Sequence, residues 1–411
     1  MVVLITVAFL LRLAAVVALR DVRQGPSDRQ GSDGVQFNTL ALQVANGNGY
    51  SLRTGHPTSF RAPGFPLFLC GLRMAFGQDY RAAYLAFCLL GALACGLTYL
   101  LAREVLTDST ARLAAVFVAV YPPHVYFATE FASENLFVPV LTLGLWMTLV
   151  HLRTGSITSI GIAGLALGWG ALTRPFAVLI SPVLIGIVLW SRRKSIRDAI
   201  APAALLLCGF LVVVLPWTVR NYVVHGKLVW IATNGGSTFY GGNNDWVISS
   251  IRHYGGWVST RGLPGASEDL AKDEVERDRS QWRRGKQWVQ SHIRWMPALL
   301  AAKYVRLWLP DIDSPNRAYV WLNVVCTTPF LLLILAGQLR MTRSAQWWSP
   351  SWLVLHGAGA TTAVMALITW GSPRFRDVNA TLLMVYAAVA VVWIARRGNP
   401  DRSTAGPSAA R

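Results

Sequence analysis

Long apolar stretches constrain this chain more than any other feature. About ten of them can be threaded through a bilayer, and several run for roughly 17–20 residues, the length a helix needs to cross a hydrocarbon core. They fall near 2–19, 83–102, 112–128, 134–152, 158–172, 176–190, 199–219, 318–338, 351–370 and 378–395. Barrel strands would instead be short and alternating. The fold class is an all-α polytopic membrane protein of about 10 transmembrane helices, with outer loops carrying juxtamembrane helices.

Charge supports that class. Only 14% of the residues are charged, against about 25% in ordinary soluble domains. The net charge of +18 does not imply nucleic acid, because the basic residues gather in short loops. Ser191–Arg197, Arg340–Arg343 and Arg396–Arg397 fall on one side when the number of spans is even. That side is expected to be cytoplasmic and to hold both termini, in a plasma or inner membrane. The first stretch lacks a basic start and a small-residue cleavage site, so it reads as a retained span and not a signal peptide. The five cysteines lie in or beside apolar stretches without a CxxC spacing, and read as core residues.

Threading the chain this way gives one transmembrane domain, residues 1–396, with a short cytoplasmic tail at 397–411. Two long segments, 21–82 and 220–317, lie outside the cytoplasm. Apolar positions at helical spacing predict a helix over 36–50, stopped by Asn46-Gly47-Asn48-Gly49. A second amphipathic helix is predicted over 267–295, with Ser267 as N-cap and Trp282, Val289 and Ile293 as its apolar stripe. The Gly/Asn-rich segment 228–250 predicts a hairpin or an ordered loop.

The outer side collects the residues that can do chemistry. Arg61, Arg174, Arg220, Arg374 and Arg376 all fall there, against the positive-inside bias. A guanidinium fork matches phosphate with two parallel hydrogen bonds. Snorkelling to headgroups, or pairing with Asp377, is the ordinary alternative for any one of them. Asp33 can cap the helix that follows it, or act as a general base for an acceptor hydroxyl or amine. Glu130 and Glu134 are four apart, so on a helix they share a face. Either can pair with an arginine, orient a base or bind a cation. The histidines show no zinc spacing, and no Walker loop or post-strand GxGxxG is present.

In order along the chain stand Ser32-Asp33, Gly47-Asn48-Gly49-Tyr50, Arg61-Ala62-Pro63-Gly64-Phe65-Pro66 and Ser133-Glu134-Asn135-Leu136. Leu172-Thr173-Arg174-Pro175, Pro216-Trp217 with Arg220-Asn221, Gly235-Gly236 with Gly241-Gly242-Asn243-Asn244, and Gly371-Ser372-Pro373-Arg374-Phe375-Arg376 follow. This set resembles the GT-C superfamily of integral-membrane glycosyltransferases. The likeness is to the branch of dolichyl-phosphate-mannose protein mannosyltransferases and aminoarabinose transferases. The resemblance implies inverting transfer of a sugar from a polyprenyl-phosphate donor to an extracytoplasmic acceptor (lipid, glycan or protein). It implies Asp33 as the catalytic acid of the first outer loop and Glu134 as the acid of the second. Arg61 would contact the carrier phosphate, with Arg374 and Arg376 as a basic pair near the donor headgroup. Arg174 and Arg220 are further candidates for that phosphate. No cytoplasmic nucleotide site is required, no cofactor is assigned, and a divalent cation is optional. Two departures stand out: Gly34 follows Asp33 where many relatives have Glu, and Phe37 stands where a Tyr is common.

A transporter or flippase of a lipid-linked anion is the alternative. Transporters place ionisable groups near the midplane and often carry inverted repeats. Here the charges sit at the rim and no repeat is visible.

Overall fold

The computed structural model describes residues 1–26, 32–193, 195–250, 253–310 and 317–397. Lys194 of the basic loop and residues 398–411 of the expected tail lie outside the described residues.

The described residues are built into helices, with one two-stranded hairpin among them. Six described helices are long and apolar enough to cross a membrane: Val2–Leu19, Tyr80–Arg103, Glu134–Thr154, Arg197–His225, Asn323–Thr342 and Pro350–Ile368. Four shorter apolar helices accompany them: Gly64–Phe76, Ile157–Thr173, Pro175–Ser191 and Ala380–Arg396. Nine of the expected stretches therefore sit in long or shorter apolar helices. The tenth, near 112–128, is broken into Asp108–Val120 and Pro122–Phe127. Pro122 drives Tyr121 into extended backbone (φ −65°, ψ 115°), which ends the first helix. Gly64–Phe76 was not among the expected spans.

Chain order largely becomes spatial order. Val2–Leu19 lies against Tyr80–Arg103, which lies against Glu134–Thr154, then Ile157–Thr173, then Ile196–His225. The last two helices meet along a small-residue seam. Side chains at Gly164 or Gly209 would collide with the facing backbone, so these positions allow the close approach that substitutes for hydrophobic drive in lipid. Leucines and valines such as Leu85, Leu89, Leu93 and Val212 point outward, as lipid-facing positions do.

The outer segments are ordered, with different boundaries from those expected. The first helix is Ser32–Ala45, not 36–50, so Asp33 lies in its first turn. The chain then turns through Gly47 and Gly49, both at positive φ, into the hairpin Ser51–Arg53 with His56–Pro57. Residues 228–250 form no hairpin. They carry the short helices Gly235–Gly241 and Asp245–Ser249 instead. Asn244 decides this, because its side chain accepts from the Trp246 and Val247 amides and starts a helix. The predicted 267–295 helix is two: Ala266–Leu270 and Glu274–Ser291. Asp273, not Ser267, caps the long one. Its buried residues include Val275, Gln281, Gly285 and Trp288, while Ile293 is exposed.

Candidate active site

Four local devices bring the predicted residues to one place. The first is the opening turn of Ser32–Ala45, where a carboxylate suits the helix dipole, and it presents Asp33. The second is the bend before Gly64–Phe76. The Tyr50 hydroxyl donates to the carbonyls of Arg61 (3.0 Å) and Ala62 (3.1 Å), which fixes the Arg61 backbone. The third is the turn at Arg174. Pro175 forces Arg174 out of the helical region (φ −138°, ψ 105°), so its side chain leaves at the helix end. The fourth is the five-residue helix Pro373–Asp377, capped by Ser372 with proline in its first turn.

In the resulting cluster, the Arg61 guanidinium donates to Asp33 Oδ1 at 2.6 Å and to Gln36 Oε1 at 2.7 Å. Arg374 bridges both acids. It reaches Asp33 Oδ2 at 3.5 Å and Glu134 Oε1 through Nη2 at 2.7 Å. Arg174 reaches the same Glu134 oxygen at 2.8 Å, with Ser133 Oγ at 3.3 Å. Glu134 is fully buried, whereas Asp33 keeps 38% of its side chain exposed and Arg374 45%. Three guanidinium groups face two carboxylates, which leaves one net positive charge. Burial pushes the Asp33 carboxyl up, but Arg61 and Arg374 outweigh that and hold it below its ordinary value.

Arg376 and Arg220 do not join this cluster. On a helix, residues two apart point to opposite sides, so Arg376 turns inward where Arg374 turns out. It pairs with Asp377 at 2.8 Å and donates to the carbonyls of Trp308 and Leu309. Tyr121 donates to the same Asp377 at 2.7 Å. Arg220 lies across the Trp217 ring and donates to the carbonyls of Thr58 and Tyr50. Glu130 and Glu134 do not share a helix face. Glu130 precedes the helix and pairs with Arg20.

The sequence reading missed four supporting residues. Gln36 and Ser133 hold Arg61 and Arg174. Glu274 ties the two outer segments together, accepting from Thr58 Oγ1 (2.5 Å), the Ser59 amide (2.8 Å) and Thr233 Oγ1 (2.5 Å). Lys303 is fully buried and donates to Asn243 Oδ1 (2.8 Å) and the Leu367 carbonyl (3.2 Å). A single lysine in the Met296–Trp308 helix, or one glutamate in a polar outer segment, carries no sequence signal of the partner it will find.

Among the described residues, no group of three or more His, Cys, Asp or Glu side chains could hold a metal ion. The two acids of the cluster are engaged by arginines, so these residues do not fit a resident divalent cation.

Acid–arginine pairs, with Glu134 fully buried, thus gather at the ends of apolar helices in a mainly helical fold. The fold is similar to that of an archaeal oligosaccharyltransferase, and the chain resembles the mannosyltransferase and aminoarabinose transferase branch of the GT-C glycosyltransferases. Residues 56–219 match the family model of dolichyl-phosphate-mannose-protein mannosyltransferases. The chain is 30% identical over 161 residues to the undecaprenyl phosphate-alpha-4-amino-4-deoxy-L-arabinose arabinosyl transferase of Pseudomonas aeruginosa. That match covers 37% of this chain and 28% of the relative. The oligosaccharyltransferase AglB of Archaeoglobus fulgidus, solved with an inhibitory peptide and a dolichol-phosphate, superposes at TM-score 0.58 and 14% identity. The superposition covers 100% of this chain and 52% of that one. The apo form of the Archaeoglobus fulgidus oligosaccharyltransferase gives 0.57 at 13% identity, over 98% and 51%. The chain thus spans under a third of the curated transferase and about half of the archaeal enzyme.

Proposed function

We propose that the chain is an inverting glycosyltransferase that moves a sugar from a polyprenyl-phosphate carrier to an extracytoplasmic acceptor. The observation that carries this reading is the meeting of Asp33, Arg61, Glu134, Arg174 and Arg374 from distant parts of the sequence. The relatives named for undecaprenyl phosphate and dolichyl-phosphate-mannose support the donor class.

The chemistry follows from the two kinds of group. Asp33 takes the proton of the acceptor hydroxyl or amine as that atom bonds to the anomeric carbon. The bond from that carbon to the phosphate oxygen breaks on the opposite face, which inverts the configuration. The carrier leaves as a phosphate with an added negative charge. Arg61 and Arg374 stabilise that charge as it develops. Glu134 is a positioning residue, since both of its arginine partners depend on it for their aim. An incoming phosphate competes with Asp33 for Arg61 and Arg374. The proton-accepting strength of Asp33 therefore rises when donor binds.

In this reading the ten apolar stretches all span or enter the membrane, the loops 21–82 and 220–317 lie outside, and the termini lie in the cytoplasm. A flippase would use the arginines alike but has no need of a carboxylate within reach of them. The test is to supply membranes with radiolabelled polyprenyl-phosphate sugars and follow the label. Label should leave the carrier with the native chain and stay on it with Asp33→Asn, while that variant still binds undecaprenyl phosphate. Transfer by Asp33→Asn at the native rate would overturn the proposal.

A further inference from the structure

Arg12 is the only charged residue of the Val2–Leu19 helix, and it is fully buried near the middle of that helix. A cation so placed is expensive unless it is paired. Its Nη1 donates to the carbonyls of Ala8 (2.9 Å) and Ala119 (3.2 Å), and its Nη2 donates to the carbonyl of Val118 (3.2 Å). Gly91 of the facing Tyr80–Arg103 helix makes room for it, since a Cβ there would run into the Arg12 side chain.

Two of those acceptors explain the arginine. In an unbroken helix, the amides of residues 122 and 123 would donate to the carbonyls of residues 118 and 119. Both donors are prolines, which have no N–H to give. Val118 and Ala119 would therefore leave two carbonyls unmet inside an apolar bundle, where such groups are costly. Arg12 meets both, and its charge suits the C-terminal end of the Asp108–Val120 helix. Beyond the break the chain reaches the acid–arginine cluster. Tyr121 donates to Asp377 Oδ1 at 2.7 Å, and His124 Nε2 donates to the Asp377 carbonyl at 2.7 Å. Asp377 ends the short Pro373–Asp377 helix that presents Arg374.

We propose that Arg12 is a positioning residue for transfer. By holding the helix break, it seats Tyr121 and His124 on Asp377 and so aims Arg374 at Asp33 and Glu134. The proposal rests on the transferase reading, but its first test needs no turnover. Hydrogen exchange over 373–379 is compared in the native chain and in Arg12→Met, both in nanodiscs. Exchange should speed up there and stay native over 274–291. Transfer should fall by up to about 10²-fold, and the acid limb of kcat/KM should move upward as Arg374 withdraws from Asp33. A purely structural loss would lower the yield of folded protein and leave that limb in place. Arg12→Lys keeps the charge and the donors, and should return the limb towards its native position. In a Tyr121→Phe background Arg12→Met should add little, because the link is already cut. Gly91→Ala displaces the cation without removing it, and carries the same test if Arg12→Met does not fold. Native exchange over 373–379 in the folded variants overturns the proposal, as does an unmoved limb or a loss that adds in full to that of Tyr121→Phe. Faster exchange in a chain whose native form transfers no sugar would keep the link and sink the transferase reading.

Discussion

Arg374 and Arg376 show how much a single position decides. They are two residues apart and chemically alike, yet one is 45% exposed beside the two acids and the other is 2% exposed beneath Tyr121. Their substitutions should therefore fail in different ways. Arg374→Gln should lower transfer on the order of 10²-fold, as loss of one aimed donor does, with little change in melting temperature. Arg376→Gln leaves Asp377 buried without its cation, and should cost about 3 kcal/mol or more of stability, read as a lower melting temperature in detergent. Asp33→Asn should lower transfer by about 10²–10⁴-fold. Because Arg61 and Arg374 hold the Asp33 carboxyl below its ordinary value, the group stays ionised as pH falls. The acid limb of kcat/KM, which reports the donor-free enzyme, should lie below the usual carboxylate range, and Arg374→Gln should move that limb upward.

The elements that aim these side chains depend on contacts the sequence hides. The loop after Pro350–Ile368 is fastened from beneath by the Met296–Trp308 helix, through Lys303 to the Leu367 carbonyl and through Arg376 to the carbonyls of Trp308 and Leu309. A Cβ at Gly371 would run into the Lys303 backbone, so Gly371→Ala should push Arg374 away from Glu134 and lower transfer. Burial without a facing carboxylate drops the Lys303 ammonium to about 7. The unfolded chain, with an ordinary lysine, then binds more protons between about pH 7 and the ordinary lysine value, so stability rises with pH across that window. Each pH unit within it adds up to about 1.4 kcal/mol. The melting temperature of the native chain should therefore gain on that of Lys303→Met as pH is raised from about 7. A gap that stays constant would show that Lys303 is not buried as described. Apolar length revealed the six long apolar helices, because the capacity to cross lipid follows from composition and length. The motifs Arg61-Ala62-Pro63 and Thr173-Arg174-Pro175 revealed side chains at helix ends, because proline dictates the backbone before it. Lys303 and Glu274 were not legible, since each is decided by what packs against it; the break in 112–128 was legible by the same proline rule at Tyr121-Pro122 and was overlooked.

At the scale of the whole molecule, the basic loops and the acid–arginine cluster stand at opposite ends of the same helices. The chain from Arg174 runs through Pro175–Ser191 to Arg192 and Arg193. The Glu134–Thr154 helix begins at the cluster and ends beside Arg153, and at 1.5 Å per residue it is about 30 Å long. The Pro350–Ile368 helix returns from the Arg340–Arg343 turn towards Arg374. About 30 Å is also the thickness of the hydrocarbon core, and the proposed reading puts the two charge clusters on opposite faces of one bilayer. In that reading the short-loop bias of Lys and Arg puts the basic end in the cytoplasm and the cluster outside. In a chain with its five cysteines replaced by alanine, an impermeant maleimide should label Thr54→Cys, in the exposed hairpin, on intact cells. It should label Thr342→Cys, at the exposed end of Asn323–Thr342, only after the membrane is permeabilised. The reverse pattern would put Asp33 and its arginines in the cytoplasm, where an extracytoplasmic acceptor could not reach them.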